Sequence, residues 1–227
     1  MNSARAGRRI EASSVIGFVY ALSLFCAAQT GKIESVGPLT DAAVPESVRQ
    51  TLDAKGYRLT LDEPAPLLEL WMRKSVPAQA KKAVESVAYP QLAESTLVGV
   101  IHFPQAASDF RGQRIRPGFY TLRYGLIPND GNHLGVSPNR DFLLLVPAAS
   151  DTDSNATFKF EELVAMSRGA TGTKHPGPMS LVQGEARATA AAVGKDDEDH
   201  WVFSATVKLT SGEELPFALV VKGTAQQ

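Results

Sequence analysis

Gly118-Phe119-Tyr120-Thr121-Leu122-Arg123-Tyr124-Gly125-Leu126-Ile127 is the stretch that decides the fold class. Phe119, Thr121, Arg123 and Gly125 fall on one face, and Tyr120, Leu122, Tyr124 and Leu126 on the other. Period-two alternation of this length is the mark of a β-strand. Arg116-Pro117-Gly118 supplies turn chemistry immediately before it. Residues 141–146 then form a run, Asp141-Phe142-Leu143-Leu144-Leu145-Val146, that is apolar from Phe142 on. Such a run suits a central strand covered on both faces. Near the C-terminus Trp201, Phe203, Ala205, Val207 and Leu209 alternate, Ser211-Gly212 turns the chain, and residues 215–221 return as a hairpin partner. Leu143, Leu145, Val207 and Val220, in these strongest strands, are expected in the core.

Weaker strand signals flank this centre at residues 57–61, 67–73, 96–103 and 179–183. In 67–73, Leu68, Leu70 and Met72 share one face and Glu69, Trp71 and Arg73 the other. Three stretches read as helical. A short one opens at Pro45-Glu46-Ser47 and ends at Gly56. An Ala- and Lys-rich one covers residues 77–89. An amphipathic one covers 158–168, with Phe160, Leu163, Val164 and Ser167 at helical spacing and Gly169 as its stop. Alternating βα units are missing, so a doubly wound fold is not expected. The pattern predicts a mostly β chain: an antiparallel β-sandwich or open barrel with about two short flanking helices.

The N-terminus predicts the address. Arg5, Arg8 and Arg9 precede an apolar stretch over residues 15–28, which ends in Cys26-Ala27-Ala28. A basic start, a short apolar run and small residues make up a secretory signal, and the run is short for a membrane span. Gly7, Ile10 and Glu11 fit twin-arginine export poorly, and Phe25 is large for the residue before a lipidated cysteine. Glu11 leaves an uncleaved anchor as the alternative. The expected organisation is a signal peptide at 1–28, a Gly/Thr/Pro/Ala-rich flexible tether at 29–46, and a single β-rich domain at 47–227.

Residues 1–28 hold three Arg and one Glu of the chain's 23 Lys+Arg and 24 Asp+Glu, so the remainder has a formal charge of −3. That is neither a nucleic-acid footprint nor a polybasic membrane patch. The single cysteine, Cys26, lies within the signal, so the mature chain has no disulfide or thiolate chemistry. A chain of this size buries about 70% of its unfolded surface and needs no such staple.

Three polar loops compete as working surface: residues 109–116, 128–141 and 171–178. The second is long for a connection and joins two strong strands. The candidate ligand-binding residues are Asp109, Arg111, Tyr124, His133, Asn139, Arg140, Asp141 and His175. Arg111, Arg114, Arg116, Arg123 and Arg140 are interleaved with Phe110, Phe119, Tyr120 and Tyr124. Arg forks match carboxylates, and aromatics stack on flat faces. For a metal, His133 and His175 with Asp109 and Asp141 would have to converge from separate loops, because no local His or Cys ligand spacing exists. No metal and no cofactor is therefore expected. His102 and His200 read as structural strand residues. No Gly-x-Ser-x-Gly and no phosphate-cradling glycine motif is present. The acidic run Asp196-Asp197-Glu198-Asp199 reads as a solvated hairpin tip, since calcium-loop spacing is lacking.

Asp109-Phe110-Arg111-Gly112-Gln113, Pro117-Gly118-Phe119-Tyr120-Thr121-Leu122-Arg123-Tyr124, Asp130-Gly131-Asn132-His133 and Arg140-Asp141-Phe142-Leu143-Leu144 together resemble a group of secreted bacterial proteins. The likeness runs from about Leu68 to the C-terminus. It implies a bacterial secreted origin and brings no catalytic residue with it. The expected function is non-catalytic binding in the bacterial envelope or periplasm, with a small ligand, a glycan or an envelope protein as partner. No nucleic acid and no stable membrane insertion after cleavage are expected. Two alternatives stand beside it: a metal-dependent or carboxylate-based hydrolase using the three loops, and a structural envelope protein. N-terminal sequencing of the exported protein is expected to begin near Gln29; recovery of Met1 in the membrane fraction would contradict cleavage.

Overall fold

The computed structural model describes residues 31–81, 84–128, 139–185 and 190–225. The signal at 1–28 and His133, with residues 129–138 of the long loop, lie outside the described residues. The strands in chain order are β1 (Lys32–Val36), β2 (Gly56–Thr60), β3 (Leu68–Met72), β4 (Leu97–Phe103), β5 (Ala107–Ser108), β6 (Arg114–Ile115), β7 (Gly118–Leu126), β8 (Asp141–Pro147), β9 (Pro178–Gln183), β10 (Ala192–Lys195), β11 (Trp201–Lys208) and β12 (Glu214–Lys222). Two α-helices, α1 (Glu46–Arg49) and α2 (Phe160–Thr171), flank them. Ten strands form one antiparallel sheet in the order β1-β2-β3-β4-β7-β8-β9-β12-β11-β10, and β5 and β6 make a separate small ribbon. The sheet curls until β1 and β10, its two ends, touch. It is an antiparallel barrel that is nearly closed.

The alternation read from the sequence is the inside–outside pattern of this barrel. Leu68, Leu70 and Met72 point inward with Tyr120, Leu122, Tyr124, Leu143, Leu145, Phe203 and Val207. Leu143, Leu145, Val207 and Val220 are all buried. Two smaller apolar clusters lie outside the barrel. One gathers Trp71, Leu97 and Val100 beneath Val44 and Val48 of the α1 segment. The other sets Phe142, Leu144 and Val146 of β8 against Leu163 of α2. The continuous apolar run of β8 is explained by this covering of both faces.

Several expectations are corrected. Residues 32–36, read as part of a flexible tether at 29–46, form the edge strand β1, paired with β2 from Lys32↔Thr60 to Val36↔Gly56. Leu39 and Val44, also in that stretch, are buried. The described residues of 77–89 are not helical; they cross one end of the barrel. Val76 bridges Leu209, and Ala78 bridges Leu92. Ser86 at φ 56° ends any helical run, and Tyr89 enters the interior. Its hydroxyl donates to the Val182 carbonyl at 2.6 Å and accepts from the Ala218 N–H at 2.8 Å, joining β9 to β12. Gly169 does not stop α2 but packs on Pro147; Gly172, at φ 67°, is the C-cap. The acidic run is a hairpin tip, where the Asp196 carboxylate accepts from the Glu198 and His200 N–H groups.

Arg123, on the outer face of β7, has no exposed surface. Its Nε and Nη2 hold Asp151 in a fork at 2.8 and 2.6 Å. The remaining donors reach the carbonyls of Ser95, Asp153 and Ala156 at 2.7–2.9 Å. Thr121 Oγ1 donates to the same Asp151 carboxylate at 2.6 Å. A fully hydrogen-bonded pair is the arrangement in which a buried charge is tolerated, and removing one partner strands the other. Asp151→Ala is expected to lower unfolding stability in urea by about 3–5 kcal/mol, with Arg123→Met/Asp151→Leu costing less than the single change. A single-variant loss under about 1 kcal/mol would contradict this role.

Candidate functional site

α2 roofs a cleft on the outer face of β8. Residues 159–162 begin the helix, with Glu162 Oε2 accepting the Lys159 N–H at 2.9 Å. Leu163 anchors it on Phe142, Leu144 and Val146. The Phe142 ring packs against Gly125 of β7, where a Cβ would press on it at 3.2 Å. Phe142, Leu144, Ile127, Phe160 and Val164 form the apolar lining, and Phe110 and Pro176 extend it at the loop end. The space enclosed is about 240 Å³.

Parts of all three polar loops meet here. Phe110 and Arg111 come from the first, Pro128 from the second, and Lys174, His175 and Pro176 from the third. Gln113 ties the first loop to the third. Its Nε2 donates to Asp109 Oδ2 at 2.7 Å and to the Pro176 carbonyl at 2.8 Å, and its Oε1 accepts from Thr173 Oγ1 at 3.2 Å. Thr171 and Thr173 stitch the third loop internally through the His175 carbonyl and N–H. The Gly177 N–H donates to Ser167 Oγ of α2 at 3.0 Å, so this loop is fastened to the helix as well.

The sequence candidates divide sharply. Arg111 and His175 stand exposed at the cleft. Asp109 is fully buried and accepts from the Arg111 and Gln113 N–H groups. Burial pushes its carboxyl up, opposed by those donors. Tyr124 and Asp141 are likewise interior groups, not surface ones. Asp141 accepts the Ala88 and Tyr89 N–H groups at 3.0 and 2.8 Å and the Tyr124 hydroxyl at 3.3 Å. Burial raises the Asp141 carboxyl and, more strongly, the Tyr89 and Tyr124 phenols, which therefore stay protonated. Asn139 donates to the Leu181 carbonyl, and the Arg140 guanidinium folds back on the Ile127 carbonyl. These five residues make hydrogen bonds inside the fold, and none of them lines the cleft among its described residues. His133 lies outside the described residues. The two carboxylates offered for metal-dependent or hydrolytic chemistry, Asp109 and Asp141, are both sealed among N–H donors. Among the described residues, no group of three or more His, Cys, Asp or Glu side chains is placed to hold a metal ion.

No protein-family model, curated protein or solved structure matches this chain. The site therefore rests on its own geometry.

Residues that sequence reasoning missed complete it: Phe142, Leu144, Phe160, Val164, Arg168 and the positioning residue Gln113. The amphipathic stripe of α2 and the two-sided run of β8 were the signals available for them. Asp141→Asn is expected to lower stability by about 1–3 kcal/mol in urea unfolding, because a carboxamide N–H₂ must face a backbone N–H on one side or the other. An unchanged midpoint would show that the Asp141 oxygens are not both needed as acceptors.

Proposed function

We propose that this chain is an extracytoplasmic, non-catalytic binding protein that takes a small, largely apolar molecule into the cleft between α2 and β8. The observation that supports this reading is an apolar recess held at a fixed opening by Gln113, Ser167 and the loop carbonyls. Ligand pockets are mostly apolar with a few placed polar groups and span about 300–1,000 Å³ for drug-sized molecules. At about 240 Å³ the cleft suits a smaller molecule or part of one. Of the partner classes expected from sequence, a glycan fits poorly. Among the described residues Ser180 is the sole hydroxyl lining the cleft, and a sugar needs many hydrogen-bonding groups to replace its water. The barrel interior, packed with Tyr89, Tyr124, Phe203 and Phe217, is already occupied by the protein's own side chains.

Secretion or periplasmic residence follows from the basic and apolar start at residues 1–28 and remains part of the proposal. N-phenyl-1-naphthylamine, a neutral apolar dye, is the direct probe. Its fluorescence is expected to rise on addition of the protein. Val164→Trp, which fills the cleft from a half-buried helix position, is expected to abolish the rise with little change in melting temperature. Full dye binding by the folded Trp variant would overturn the cleft as the site.

A further inference from the structure

The rim of the cleft is as uneven in charge as its floor is apolar. Arg111, Arg168, Lys174 and His175 line it, and no Asp or Glu does among the described residues. Arg111 feels the buried Asp109 carboxylate, but none of the four side chains makes a hydrogen bond or salt bridge among the described residues. Elsewhere on this chain some cations meet a carboxylate. Lys32 meets Glu34 at 2.9 Å, Lys195 meets Asp199 at 2.7 Å and Lys222 meets Asp62 at 3.2 Å. In a chain with slightly more acidic than basic residues, a recess edged by basic side chains and by no Asp or Glu among the described residues is a local departure in composition.

We infer that the occupant of the cleft is a small amphipathic carboxylate: an apolar body seated on Phe142, Leu144 and Val164, with its anionic head toward Arg168 and Lys174. This inference rests on the cleft being the binding site. The size of the recess favours a single short chain or one aromatic ring over a two-chain lipid. The apolar body supplies the affinity through burial at about 25 cal/mol per Å². The rim supplies orientation and the choice of sign, as charged groups at the edge of a site do. Arg168 sits in the last turn of α2, so the negative end of the helix dipole does not favour the anion; the guanidinium must outweigh it. Lys174 then brings the balance toward positive charge from the facing loop.

The test uses decanoate, 1-decanol and 1-decylamine as competitors of the neutral dye, all below their aggregation concentrations. Decanoate is expected to displace the dye at least tenfold more tightly than decanol, and decylamine more weakly than decanol. Arg168→Gln and Lys174→Gln should each weaken decanoate about fivefold, the size of a partly exposed charge pair, and leave decanol unchanged. The preference should shrink in 0.5 M salt as the rim is screened. Equal displacement by decanoate and decanol, or a preference for decylamine, would overturn the carboxylate inference. If Val164→Trp still abolished both in that case, the cleft would stand as a neutral apolar site. Displacement untouched by Val164→Trp, or none by any of the three, would overturn both readings.

Discussion

The fork between Arg123 and Asp151 is the constraint on which the outer half of this structure depends. A guanidinium without exposed surface must satisfy every N–H it has, and Arg123 does so with one carboxylate and three carbonyls. Those acceptors lie on residues 95 and 151–156, so the chain leaving β8 has to fold back across β7. Ser95 is held at φ 70°, its N–H on the Tyr124 carbonyl and its Oγ on the Phe158 N–H. Phe158 covers the guanidinium at 5.1 Å. Two residues later α2 begins. The position of the helix over β8, and with it the opening of the cleft, follows from where a buried charge finds its partners. Such a pair contributes little stability over a well-packed apolar pair; what it supplies here is one path for the chain.

A second buried carboxylate settles the inside of the barrel. Asp141 gathers the Ala88 and Tyr89 N–H groups and the Tyr124 hydroxyl at the start of β8. This turns the Tyr89 ring inward against Phe217, where its hydroxyl joins β9 to β12. The interior is thereby filled by the protein itself. Space for another molecule is found on the outside, under a helix, and that places the recess within reach of three loops. The two carboxylates have separate consequences: Asp151 sets the roof of the cleft, and Asp141 fills the space that would compete with it.

Much of the barrel was legible because period-two alternation reports burial directly. β3, β4, β7, β8, β11 and β12 fall where alternation or an apolar run placed them. β1 escaped because Lys32-Ile33-Glu34-Ser35-Val36 is an edge strand with no fully buried residue, and its neighbours in sequence are Gly and Pro. β10 is four residues long and contains Gly194, too short to alternate. Residues 77–89 carry helical composition, yet Tyr89 is worth more inside the barrel than a helix is at its rim; tertiary packing overrode propensity. The candidate site was half visible. Loops 109–116 and 171–178 do meet, and Arg111 and His175 do face the cleft. Asp109, Tyr124 and Asp141 were drawn to the surface by their polarity, although a buried carboxylate with three donors looks identical in sequence to an exposed one. Gln113 gave no signal at all, since its role depends on residues 60 and 63 positions away meeting it in space.

What distinguishes an outer cleft from a barrel interior is where a bound apolar chain lies. Intermolecular NOEs between decanoate and methyl-labelled protein measure this directly. They should connect the alkyl chain to the methyls of Leu144 and Val164. NOEs to Leu70 and Leu122 instead would place the ligand inside the barrel and contradict a site built between α2 and β8.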